Sequence, residues 1–221
     1  MQPGYLPWLG FFELMYNCDL FILLDEVQYT KKDWRSRNRI RTKDGWIWLT
    51  VPVLTKGRYR QRILEARINN SVDWKKRHFK AIALNYSRAP FFKKYIRYLE
   101  KVYTSSWEYL IDIDLELITF LSRELGIVTP IMRSSELGVK AVGNERIVAI
   151  CRQVKAHELY DSDGARDFID LKRFEKDIKV LFQDYRHPAY AQVYRPFISH
   201  MSALDLLLNC GDKSLDILLG S

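Results

Sequence analysis

Cysteine is scarce in this chain. There are three, Cys18, Cys151 and Cys210, scattered and odd in number. They form no CxxC pair and no disulfide framework, which excludes a disulfide-stapled secreted scaffold and makes a reducing cytoplasm the expected location. Glycine and proline are also sparse, at 10 and 7 residues. Neither clusters into a linker, and no repeat is visible, so residues 1–221 read as one domain. No apolar run reaches the ~18 residues that span a bilayer, and no basic-then-apolar signal pattern opens the chain. The four histidines, His78, His157, His187 and His200, lack a second ligand at zinc-like spacing, so no metal is expected. The GxxxxGK[ST], GxGxxG and GxSxG signatures are all missing, which removes the sequence basis for a phosphate loop, a dinucleotide fold or a nucleophile elbow. No cofactor is expected.

What is plentiful is aromatic and basic. Aromatic residues make up 14% of the chain and hydrophobic residues 48%, a composition that buries a core rather than staying disordered. The net charge is +8, but it is unevenly placed. Residues 31–101 hold 21 basic and 5 acidic residues, a net of +16, while the other 150 residues carry −8. A segment so charged gives a folded protein a basic face, suited to phosphates of nucleotides, nucleotide-sugars or nucleic acid, or merely solvated.

Periodicity gives an α/β reading. Pro3 and Pro7 bracket Gly4-Tyr5-Leu6 as a stiff loop, and Leu9, Phe11, Phe12, Met15 and Tyr16 fall at helical spacing after it. Leu20 to Leu24 is a continuous apolar run ending in Asp25-Glu26, as in a strand covered on both faces of a parallel sheet. Residues 29–44 read as an irregular basic stretch, and 46–53 (WIWLTVPV) as a strand. A short strand is expected within 62–68. Helices are expected after Asp73, over 91–103, and from the Ser105/Glu108 capping-box spacing to Gly126. Strands follow at 127–132 and 179–183, with a helix over 143–154 between them. Ser202 and Asp205 repeat the capping-box spacing before a last helix that stops at Gly211. The expected fold is a mainly parallel sheet flanked by helices.

Candidate chemistry concentrates at three places. The proline-bracketed loop offers Gln2, Tyr5 and Trp8 beside a helix start, where backbone N–H groups point outward. Asp25 stands at a predicted strand tip, the edge where ligands bind in open α/β sheets, and is placed to orient or deprotonate an acceptor. Arg37-Asn38-Arg39 precedes the aromatic strand, and arginine forks suit phosphate or carboxylate. Near the end, Ser199, His200, Ser202 and Asp205 cluster, but capping already explains Ser202 and Asp205.

Quoted together, Gln2 to Phe12, Asp19, Asp25 to Tyr29, Arg37 to Ile40, Trp48 to Val53, Trp74, His78, Pro188, Tyr190, Gln192, Phe197, Ser202, Asp205 to Leu207, Asn209 and Gly211 resemble the WbqC-like protein family. The likeness covers essentially the whole chain. Against that family's pattern, the short apolar strand that usually precedes Gln-Pro is replaced by Met1, so the start reads as shortened. The family is associated with O-antigen and other surface-polysaccharide gene clusters. The resemblance implies a transferase acting on an amino sugar or nucleotide-activated sugar, by acyl or aminoacyl transfer to an amine. It points to Asp25, His78 and Ser202 as catalytic. Gln2, Tyr5, Trp8, Gln28, Tyr29, Arg37, Asn38, Arg39, Gln192 and Asp205 are then substrate-binding, and the ligand a small anion such as a nucleotide-sugar. The opening also resembles HIGH-type nucleotidylyltransferases, although Tyr5-Leu6-Pro7-Trp8 fills the place of their two histidines. Two rival readings remain: a nucleic-acid-binding module using residues 31–101, without a recognised motif, and a non-catalytic partner in a glycan-assembly complex.

Overall fold

The computed structural model describes residues 1–174 and 178–220. The chain is mixed α/β, in the order α1 (Leu9–Tyr16), β1 (Phe21–Leu23), β2 (Arg37–Thr42), β3 (Gly45–Thr50), α2 (Trp74–Tyr86), α3 (Phe92–Thr104), α4 (Leu110–Glu124), β4 (Ile131–Arg133), α5 (Gly143–Gln153), β5 (Glu158–Asp161), β6 (Lys179–Phe182), α6 (Ala203–Cys210) and α7 (Ser214–Leu219). Strands β1 and β4 pair in parallel, as do β5 and β6, while β2 and β3 form an antiparallel hairpin. The parallel pairing is thus split into short two-stranded ladders among the described residues.

Helix α6 is the hub. Every residue from Ala203 to Asn209 is buried, as expected of a helix enclosed on all sides. Around it, α2 buries Trp74, His78, Ile82 and Tyr86, one residue per turn along a single stripe. Helix α3 buries Tyr95, Leu99, Val102 and Tyr103 at the same periodicity. These join α1 and α4 in the main hydrophobic cluster; a second, smaller one of Val148, Cys151, Ile169, Phe174 and Ile178 packs under α5 and the β5–β6 pair. The side-chain amide of Gln183 ties the two together by donating to the Gly10 carbonyl at 2.8 Å.

Several expectations need correction. The stretch read as irregular contains β2, because Arg37, Arg39 and Arg41 alternate with Asn38 and Ile40 in a two-residue period hidden by the charge. Residues 62–68 form a 3-10 turn at Ile63–Glu65 flanked by single bridges rather than a strand. Ser105 ends α3 as its C-cap, its N and Oγ donating to the Lys101 carbonyl, and does not start α4, which begins at Leu110 after an extended Tyr109. At α6, Ser202 Oγ does accept from Leu204 N at 3.2 Å, but Asp205 turns into the core instead of closing the box. Met1 lies alongside β1, its carbonyl accepting from Leu24 N at 2.8 Å.

Candidate anion site on the tryptophan–arginine hairpin

The β2–β3 register sets the site. Arg39 stands opposite Trp48 and Arg41 opposite Trp46, so arginines and tryptophans share one face of the hairpin. The Arg37 guanidinium carbon lies 4.2 Å from the Trp48 ring centre. That of Arg39 lies 5.1 Å from Trp46, 5.5 Å from Trp34 and 5.8 Å from Trp48. Trp34 and Trp46 are 46% and 40% exposed, so the cluster opens to solvent. A guanidinium held by its flat faces keeps its N–H edge available for an oxyanion. Among the described residues neither Arg37 nor Arg39 has a carboxylate partner or a side-chain hydrogen bond, and the Nε of each is enclosed and unsatisfied. Burial lowers the affinity of Arg39 for its proton. Two half-buried guanidinium groups without a carboxylate partner among the described residues leave room for negative charge.

The basic side chains on either side of this pair, Arg35 before β2 and Arg41 within it, are committed. Arg35 bonds Asp33 and Gln2. Arg41 is buried and donates to the Gly45 and Pro196 carbonyls at 2.7 and 2.8 Å, fastening the hairpin to the segment before α6.

The N-terminal loop closes one side. Tyr5 N donates to the Arg35 carbonyl at 3.2 Å, and Asn38 Nδ2 to the Leu6 carbonyl at 2.7 Å. The Leu6 carbonyl is presented by a left-handed backbone, φ 47°, an uncommon conformation for leucine that its full burial supports. Ser202 N donates to the Arg39 carbonyl and Ala203 N to the Pro7 carbonyl, at 3.0 and 2.8 Å. Loop, hairpin and α6 therefore meet behind the arginines. Gly10 admits the Trp8 indole: a Cβ there would stand 2.4 Å from the ring.

On the rim, Trp8 stacks on His200 (5.6 Å, 18°) and His187 (6.4 Å, 15°), with Tyr185 edge-on at 5.8 Å. Both histidines are held below the ordinary imidazole range, chiefly by burial, and the Arg39 charge pushes the same way. No sequence motif marked this pair, since its members lie 13 positions apart in an irregular segment; only the fold brings them to Trp8.

The remaining expected site residues lie elsewhere. Asp25 is fully buried beyond the end of β1, and its carboxylate accepts from Ser134 Oγ and Ser135 N at 3.0 Å and from Ser135 Oγ at 2.6 Å. Those serines follow β4, so the tip of the parallel pair is closed by its own neighbour rather than left for a ligand. His78 is buried in α2, its Nδ1 2.9 Å from Tyr5 OH, which lies 2.5 Å from Tyr103 OH. Ser202 is buried as the α6 cap. Gln28 Nε2 donates to the Tyr59 carbonyl at 2.8 Å and Tyr29 OH to Ser36 Oγ at 3.0 Å, both bracing the loop under Arg35.

Gln192 and Asp205 form a separate buried unit. Asp205 accepts from Tyr86 OH (2.7 Å), Tyr190 OH (2.8 Å) and Gln192 Nε2 (2.8 Å). Burial pushes its carboxyl up while those donors pull it down. Over this unit lies an open concavity of about 710 Å³ lined by Tyr190, Gln192, Tyr194, Arg195 and Phe197. Among the described residues no three His, Cys, Asp or Glu side chains converge as a metal site would require, and no helix is long and apolar enough to cross a membrane.

An α/β fold carrying a solvent-open cluster of tryptophans and arginines on a β-hairpin is the class these observations define. The chain belongs to the WbqC-like protein family, whose model matches residues 2–217. It is 36% identical over 221 residues to uncharacterized protein Rv1507c of Mycobacterium tuberculosis (strain ATCC 25618 / H37Rv), covering 99% of this chain and 95% of that one. No solved structure matches it.

Proposed function

We propose that the protein is a transferase that holds a nucleotide-activated sugar by its phosphates at Arg37 and Arg39 and directs acyl or aminoacyl transfer to a sugar amine in surface-polysaccharide assembly. The observation that carries this reading is the pair of unpaired guanidinium groups held between Trp34, Trp46 and Trp48. Arginine in that setting is pre-organised for a bidentate phosphate, and an exposed indole beside it offers a face for a nucleobase. Gln2 and Asn38 set the loop against the strand, and Trp8 walls the cleft. Asp25, His78 and Ser202, all buried and hydrogen-bonded, serve as its frame.

Thermal denaturation with a panel of nucleotide-sugars, each paired with the free sugar, tests the reading. A ligand that binds only the folded chain raises Tm by mass action. The expected result is a rise with a nucleotide-sugar, none with its free sugar, and none in an Arg37→Ala/Arg39→Ala variant. No rise with any nucleotide-sugar overturns it.

A single-stranded nucleic acid is the competing ligand, favoured by the exposed Trp34 and Trp46 and by Tyr59, 79% exposed in a loop that also carries Lys56, Arg58 and Arg60. An oligonucleotide that binds with a steep salt dependence, while nucleotide-sugars do not, would select it.

A further inference from the structure

The chain from Tyr190 to Phe197, just ahead of α6, lines the open concavity of about 710 Å³. Gln192 stitches this turn closed. Its Oε1 accepts from Ile198 N at 2.9 Å, and its Nε2 donates to the Ile198 carbonyl at 2.9 Å and to Asp205 at 2.8 Å. Three rings line the hollow. Phe197 packs edge-on against Tyr190 at 5.2 Å and 73°, and Tyr194 completes the lining, with the Arg41 guanidinium carbon 5.8 Å from its ring centre. A hollow of this size falls within the range of small-molecule sites, about 300–1,000 Å³.

The polar groups of this wall are mostly spent inward. Tyr190 OH donates to Asp205, the Gln192 amide is used at both ends, and the Pro196 carbonyl accepts from Arg41. The Asp205 carboxylate lies fully buried beneath them and is answered by Tyr86, Tyr190 and Gln192. What remains for a ligand is ring surface, the Tyr194 hydroxyl and Arg195. Arg195 is exposed on the lining and has neither an ion pair nor a side-chain hydrogen bond among the described residues. Arg41 brings a second positive charge to the Tyr194 ring. Ring faces select a flat apolar body, and a lone guanidinium fork matches a planar, singly charged group. A carboxylate meets that description, whereas a diphosphate is better served by Arg37 and Arg39 together.

We propose that this concavity is a second binding site, for a small aromatic carboxylate: the ligand ring lies among Tyr190, Tyr194 and Phe197, and its carboxylate pairs with Arg195. The site uses neither Arg37 nor Arg39 nor the three tryptophans around them, and it does not depend on the transferase reading.

Phenylacetate is the probe, titrated into the full chain at about pH 7.5 and followed by ligand-observed NMR, with benzyl alcohol and acetate as controls. A ligand of about ten non-hydrogen atoms is expected to bind with a Kd on the order of 1 mM. Benzyl alcohol, without the charge, and acetate, without the ring, are each expected to bind about tenfold more weakly or worse. Arg195→Gln changes an exposed side chain and is expected to weaken phenylacetate about tenfold while leaving benzyl alcohol unaffected. Arg37→Ala/Arg39→Ala is expected to leave the phenylacetate affinity as it is. No phenylacetate binding, equal affinity for benzyl alcohol, or an Arg195→Gln chain that binds phenylacetate like the parent overturns the inference. Loss of phenylacetate binding in the Arg37→Ala/Arg39→Ala chain overturns it as well. A chain that is stabilised by nucleotide-sugars but does not bind phenylacetate loses this site and keeps the proposed function. Phenylacetate binding through Arg195 without any response to nucleotide-sugars does the reverse.

Discussion

Tyr5 OH and His78 Nδ1 are hydrogen-bonded at 2.9 Å in the core, although 73 positions separate the two residues in sequence. The Thr50 backbone acts on the same ring and opposes the effect of burial. Burial lowers the His78 pKa from 6.5 to about 4.

That shift predicts a pH dependence of stability. Below about pH 6.5 the unfolded chain protonates His78 while the folded chain resists until about pH 4. The contribution is complete above pH 6.5 and is lost as pH falls through that window, by about 3 kcal/mol in all. His78→Gln is expected to be less stable than the parent at pH 7.5, with a shallower decline between pH 6.5 and pH 4. Urea unfolding across that range checks it; parallel curves would remove His78 as the cause.

Arg39→Lys is expected to behave as a loss of function. An ammonium group carries the charge but cannot lie flat between Trp34 and Trp46 while presenting a planar fork. Anion affinity should fall by roughly tenfold, close to one charge-assisted hydrogen bond, with Tm nearly unchanged. Calorimetric titration with a nucleotide-sugar measures the first quantity and scanning calorimetry the second.

For Asp25 the expected loss is of stability. Asp25→Asn replaces an acceptor of three hydrogen bonds from Ser134 and Ser135 with a group that accepts at one end only. The parallel β1–β4 tip should weaken by about 1–3 kcal/mol, a buried donor being left without a partner. Equilibrium unfolding reads this directly. An Asp25→Asn chain as stable as the parent but without turnover would return the residue to catalysis.

Gly10→Ala should reach the rim from inside. The added methyl would occupy space now taken by the Trp8 ring, which must swing off His200 and His187. Two linked effects are expected: a stability loss of about 1–3 kcal/mol from overpacking, and a histidine ring spectrum shifted at both His187 and His200. Unmoved histidine signals would show that Trp8 does not hold them.

How much of this was legible in the sequence depended on whether a signal was local. Helix α1, strand β1 and the α2 and α3 stripes carry their own periodicity, whereas Arg37, Asn38 and Arg39, read as an irregular stretch before the aromatic strand, form the strand paired with it. Strand β2 was masked because its two-residue alternation is written in arginine and asparagine rather than in apolar residues. Asp25 read as a strand-tip ligand because its Ser134 and Ser135 partners lie 109 and 110 positions away. The histidine pair was invisible for the same reason: its shared neighbour, Trp8, stands near the opposite end of the chain.

The cleft joins residues 2–8 to residues 185–203 through the Ala203–Pro7 bond and the Trp8 stack. During translation residues 2–8 leave the ribosome about 180 residues ahead of the segment they pack against. A premature stop ahead of residue 185 would leave Trp8 and the α1 face bare and sticky, and the hairpin without the Pro196 carbonyl that anchors Arg41. A nascent chain must therefore reach Ala203 before the back of the hairpin has its full surround.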